Sequence, residues 1–148
     1  MEFITENPAQ NQAVIRQLFK KRQDKKRSGA LILALEGELG SGKTTFTQML
    51  ARELGVKEKV LSPTFVIMKK YGVPENRLGL KNFYHLDCYR LDDSKEILAL
   101  GFEEITKDKK NLVAIEWAEK IKEVLPADAI WLKFEHLGED KRKIKIVI

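Results

Sequence analysis

The chain has 148 residues, of which 43% are hydrophobic and 33% charged, and its net charge is +5. That size supports one domain with its own core, without covalent staples, and the composition excludes a disordered or fibrous chain. A single cysteine, Cys88, excludes an internal disulfide and a cysteine-based zinc cluster.

In chain order, Asn7-Pro8-Ala9-Gln10 reads as a helix start, with Asn as N-cap, Pro at the first helical position and Gln at the third. Val14, Ile15, Leu18 and Phe19 then recur at helical spacing. The basic run Lys20, Lys21, Arg22, Lys25, Lys26 and Arg27 follows. It reads first as the solvated end of that helix, because no aromatic residue interleaves with the charges. Contact with RNA or an acidic partner stays open. After Ser28-Gly29, the apolar run 30–35 suits a strand buried on both faces, as in a parallel sheet. This run, the longest without interruption, is too short to cross a bilayer. The acidic N-terminus lacks a secretory hydrophobic region, so a cytoplasmic protein with no membrane partner is expected.

A glycine-rich loop comes next, followed by a helix over 43–54 with Phe46, Met49, Leu50 and Leu54 as its apolar stripe and Gly55 beyond its end. Ser62-Pro63-Thr64-Phe65 marks a loop entering a strand. Gly72 to Arg77 is the tip of a hairpin whose return strand spans 82–89. A short helix over 94–100 closes at Gly101, an apolar strand over 112–115 ends in Glu116-Trp117, and a helix over 118–125 stops at Pro126. Strands over 130–134 and 144–148 close the chain, in the manner of a sheet edge. The alternation defines an α/β fold: a single domain over 1–148, three layers, with a mostly parallel central sheet, an antiparallel hairpin and edge strands.

The loop Gly37-Glu38-Leu39-Gly40-Ser41-Gly42-Lys43-Thr44 satisfies G-x-x-x-x-G-K-S/T, the Walker A pattern of P-loop NTPases. Its glycines let successive N–H groups turn inward as a phosphate nest, and the helix N-terminus that follows adds its positive dipole. In that chemistry Lys43 reaches the β- and γ-phosphates and Thr44 ligates magnesium. With Gly near 7% of residues, a chance match is expected in well under about 1% of chains of this length. The guanine-specifying N-K-x-D pattern is absent, since Thr106-Lys107-Asp108-Lys109 lacks its final Asp. ATP is favoured by elimination. A neighbouring strand end must supply a carboxylate for magnesium, and Asp87 and Glu116 both qualify. Thr64 belongs to a candidate switch loop, Trp117 is balanced between core packing and a stacking surface, and Arg90 between a phosphate contact and a surface ion pair.

The motifs taken together resemble one family. The Walker A loop through Thr45-Phe46, then Ser62-Pro63-Thr64-Phe65, His85-Leu86-Asp87-Cys88-Tyr89-Arg90-Leu91, Leu100-Gly101 and Ile115-Glu116-Trp117-Ala118-Glu119 are similar in order and spacing to the TsaE family. These are the P-loop ATPases of bacterial tRNA threonylcarbamoyladenosine (t6A) synthesis. The resemblance implies a magnesium-dependent ATPase, slow alone and activated on the complex of TsaD and TsaB. Contact with tRNA would come through that complex. It implies nucleotide contacts from Glu38, Leu39, Gly40, Ser41, Gly42, Lys43, Thr44, Thr45, Thr64 and Trp117. It implies magnesium near Thr44, Glu116 and Asp87, and catalysis by Lys43, Asp87 and Glu116. On the residues alone, a small-molecule kinase and an ATP-dependent binding module without required hydrolysis remain alternatives.

Overall fold

The computed structural model describes residues 1–23, 26–63 and 65–147. Thr64, Lys25 and Ile148, each part of an expectation above, lie outside the described residues. Seven strands form one sheet: β1 (Glu2–Thr5), β2 (Leu31–Glu36), β3 (Met68–Gly72), β4 (Asn82–Asp87), β5 (Asn111–Glu116), β6 (Ile130–Gly138) and β7 (Lys141–Val147), in the order β1-β7-β6-β2-β5-β4-β3. The helices are α1 (Asn11–Gln23), α2 (Lys43–Glu53), α3 (Lys95–Leu98) and α4 (Phe102–Lys107), with 3-10 turns at Pro8–Gln10 and Ala118–Val124.

The apolar runs become the middle of the sheet because both of their faces are covered. In β2, Leu31, Leu33 and Leu35 join Val14, Ile15 and Leu18 of α1 and Phe46 and Leu50 of α2 in one core. The alternate residues Ile32 and Ala34 join Ile97, Phe102, Ile105 and Ile121 in a second core on the opposite face. β5 repeats the division, Leu112 and Ala114 on one side and Val113 and Ile115 on the other. The layers are therefore helix, sheet, helix.

Pairing is parallel for β2 with β5, β2 with β6 and β4 with β5. It is antiparallel for β1 with β7, β6 with β7 and β3 with β4. Among the described residues the sheet is mixed, a parallel centre with an antiparallel hairpin and edge strands as expected, but only three of its six pairings are parallel, so it is not mostly parallel as a whole. The physical reason lies at the termini. The chain turns back tightly after β6, so β7 must run antiparallel, and the short N-terminal segment Glu2–Thr5 pairs beyond it. β6 is consequently internal, against β2, and β1 holds the edge that the closing strands were expected to occupy.

Three local departures accompany this. Asn7 makes no side-chain capping bond; instead the Gln10 side chain accepts a hydrogen bond from the Glu6 amide at 2.5 Å. The helix expected over 94–100 is only Lys95–Leu98, and Gly101, at φ +80°, starts a further helix, α4. The segment after Trp117 is a 3-10 turn broken at Ile121.

Candidate functional site

Glu36, Asp87 and Glu116 end β2, β4 and β5 at one end of the sheet, with Asp87 directly opposite Glu116 in register. The glycine loop leaves β2 at that same end, the edge where α/β sheets place their ligands. Two glycines are required there. A Cβ on Gly37 would lie 2.7 Å from the Phe134 carbonyl oxygen, so the loop sits on β6 only without one. Gly42 takes φ +101° as it opens α2, a conformation costly for other residues. Among the described residues no side chain caps the first amides of α2, which leaves N–H donors and the positive end of the helix dipole facing the cleft.

Lys43 is 4% exposed. Its ammonium donates to the carbonyl oxygens of Gly37 and Glu38 and to Ser41 Oγ, and lies 4.2 Å from the centroid of the Trp117 ring. Burial holds its pKa below the usual lysine range, against the opposing pull of Glu116, Glu119 and Asp87. Arg142 reaches over from β7 and donates to the Gly40 carbonyl oxygen at 3.3 Å.

The carboxylates divide into two arrangements. Thr44 Oγ1 donates to Glu116 Oε1 at 2.7 Å, and the other Glu116 oxygen meets His85 Nε2 at 2.5 Å with both side chains buried. Asp87 accepts from Ser62 Oγ and from the Tyr89 amide, each at 3.0 Å. Burial, reinforced by Glu36, raises the pKa of Glu119 at the rim. Cys88 is fully buried, and its thiol is pushed up to about 12 by burial and by Asp87, so it is a packing residue.

Together these groups line an open cleft of about 340 Å³. Of the residues expected from the sequence, Leu39, Gly40, Ser41, Gly42, Lys43, Thr44, Thr45, Asp87, Glu116 and Trp117 all border it. Glu38 does not; it faces an adjoining hollow with Glu36 and Glu119 and gives the cleft only its carbonyl. Trp117, at φ +58°, packs on the second core and also faces the cleft. Arg90 makes no ion pair among the described residues and does not border the cleft; its guanidinium lies 4.6 Å from the Phe65 ring centroid. His85 and Arg142 were missed. His85 had a signal in its place two residues before Asp87; Arg142, within an alternating Lys and Ile strand, had none.

A central strand, a glycine-rich turn and a helix, faced by carboxylates from two adjacent strand ends, make this a mixed α/β protein whose candidate site lies at the strand ends. A family model described as "Threonylcarbamoyl adenosine biosynthesis protein TsaE" matches residues 5–144. The chain is 36% identical over 146 residues to the tRNA threonylcarbamoyladenosine biosynthesis protein TsaE of Bacillus subtilis, spanning 97% of this chain and 83% of that one. It is 43% identical over 97 residues to the TsaE protein of Nostoc, spanning 64% and 56%. A crystal structure of Bacillus subtilis YdiB superposes with a TM-score of 0.71 at 31% identity, covering 97% of this chain and 82% of that one. The chain belongs to the TsaE family, whose members take part in t6A biosynthesis. No helix among the described residues is long and apolar enough to cross a membrane.

Proposed function

We propose that the protein is a single-domain P-loop ATPase that binds ATP with magnesium in this cleft and hydrolyses it in the service of t6A modification, in the cytoplasm. The observation that carries the reading is the junction of Lys43, Thr44 and Glu116: a buried ammonium inside the loop, and a hydroxyl hydrogen-bonded to a strand-end carboxylate. The oxygen-only set of Thr44, Glu116 and Asp87 suits a hard cation. No group of three or more His, Cys, Asp or Glu side chains able to hold a metal occurs among the described residues. Magnesium takes few protein ligands and completes its shell with phosphate and water. Magnesium, when bound, offsets charge on the β- and γ-phosphates.

The residues divide the remaining work. The first amides of α2 hold phosphate oxygens, and Lys43 meets the charge that develops on the γ-phosphate during in-line attack by water. Thr44 and Glu116 would hold the cation, His85 orients Glu116 through their hydrogen bond, and Asp87 would position the attacking water. The nucleoside extends past Thr45 toward a second hollow bordered by Asn7, Asn11, Asp140 and Arg142. Leu39, Leu61, Phe65, Val66 and Tyr89 are large, apolar and exposed in the segments around the cleft, and suit a protein partner, here TsaD with TsaB.

Calorimetric titration with ATP and magnesium tests the binding half of this reading. Wild-type protein binds, and Lys43→Ala weakens binding by about tenfold or more, the loss of one charge-assisted contact. Equal affinities would contradict the placement of the phosphates.

A further inference from the structure

Three segments far apart in sequence meet at the end of the sheet opposite the cleft. Residues 26–30 lead into β2, residues 77–81 into β4 and residues 107–110 into β5, all three strands running parallel. Arg27 ties them together, donating to the Leu78 and Lys109 carbonyl oxygens at 3.4 and 3.0 Å. The Ala30 amide donates to the Thr106 carbonyl oxygen, and the Lys81 amide to that of Lys110, both at 2.8 Å. The convergence gathers Lys26, Arg27, Arg77, Lys81, Lys107, Lys109 and Lys110 beside Lys20, Lys21 and Arg22 at the end of α1. All are exposed except the half-buried Arg22 and Arg27.

Among the described residues few carboxylates oppose this charge: Glu75 is exposed two residues before Arg77, and Glu53 shares a hollow with Lys20 and Arg77 but is paired with Arg16 at 3.1 Å. Asp108 is turned to the Lys110 amide at 2.9 Å, and Glu103 and Glu104 stand at the far end of α4. Arg22 and Arg27 each keep a buried Nε with no hydrogen-bond partner among the described residues. Arg27 is held below its ordinary pKa by burial and then by the charge of Arg22.

We infer that this pole is a docking surface for the phosphate backbone of a folded RNA. Charge complementarity favours RNA over an acidic protein. The large exposed apolar side chains among the described residues, such as Leu39, Phe65 and Tyr89, all lie outside the patch. A protein interface needs such anchors, whereas phosphate binding needs only cations. The lack of exposed aromatic rings in the patch likewise points to backbone contact without base stacking. The strand length of six residues puts the surface roughly 20 Å from the glycine loop, so RNA and nucleotide can be held together.

The test is fluorescence anisotropy of a labelled tRNA transcript with the full chain, between about 50 and 200 mM salt. Wild-type affinity should fall steeply with salt. Lys26→Glu with Lys110→Glu should weaken binding about tenfold or more and flatten the salt slope. Lys122→Glu with Lys145→Glu, the same charge change elsewhere, should stay within about twofold. Thermal melts confirm that both variants fold, and Lys43→Ala should bind RNA as wild type does, which separates this surface from the ATPase reading. Absence of binding at low salt, or equal losses in the two double variants, would overturn the inference. So would loss of TsaD–TsaB binding with RNA affinity intact, which would assign the surface to an acidic protein.

Discussion

At Glu116 one buried carboxylate serves two neighbours, the Thr44 hydroxyl on one oxygen and His85 on the other. The two demands are separable by chemistry. An amide of the same shape still accepts from Thr44 and can still hydrogen-bond the imidazole, but it carries no negative charge for a cation. Glu116→Gln should therefore fold with a melting temperature close to wild type while ATP hydrolysis falls by about 10²-fold or more. Parallel thermal melts and phosphate-release assays check this. A variant that hydrolyses normally would remove Glu116 from the metal site, and one that fails to fold would make its role structural. Lys43 shows the complementary case: its charge is kept in a buried place by carbonyl oxygens and by the face of Trp117. The motif names the lysine, but the indole is supplied by the strand end 74 positions further along.

At the level of elements, the glycine loop is shaped as much by β6 beneath it as by its own sequence. Gly37→Ala would press a methyl group against the Phe134 carbonyl oxygen, 2.7 Å away. It should cost about 1–3 kcal/mol as overpacking, read as a lower urea midpoint together with weaker ATP binding. An unchanged midpoint would mean that the loop does not rest on β6. β2, β5 and α2 were legible in the sequence because each carries a dense local signal, a continuous apolar run or a helical stripe. β1 was not, because four residues, Glu2 to Thr5, are too short a run to carry a pattern of their own and become a strand only by pairing with β7. α4 was hidden because Phe102 and Ile105 supply just two buried positions between charged residues. The site divides in the same way. Lys43 and Thr44 follow from a contiguous motif, and Asp87 and Glu116 from their places at strand ends. That these carboxylates face each other is a matter of register, and Arg142 reaches Gly40 across 102 positions of chain, which no local pattern records.

Over the whole molecule, the two ends of the sheet carry different chemistry. One end holds the glycine loop, the carboxylates and a rim of exposed apolar side chains; the other holds cations drawn from segments that precede three parallel strands. On the functions proposed above, such a division would let a nucleotide-driven change be read by a protein partner on one side while RNA stays held on the other. The central proposal is that the cleft hydrolyses ATP and that partner proteins control the rate. The direct measurement is phosphate release from ATP with magnesium, for the protein alone and with purified TsaD and TsaB, with Lys43→Ala as the control. A low rate that rises severalfold with the partners, and is lost in Lys43→Ala, is the result predicted. A rate that does not respond to the partners, or that survives loss of Lys43, would contradict it.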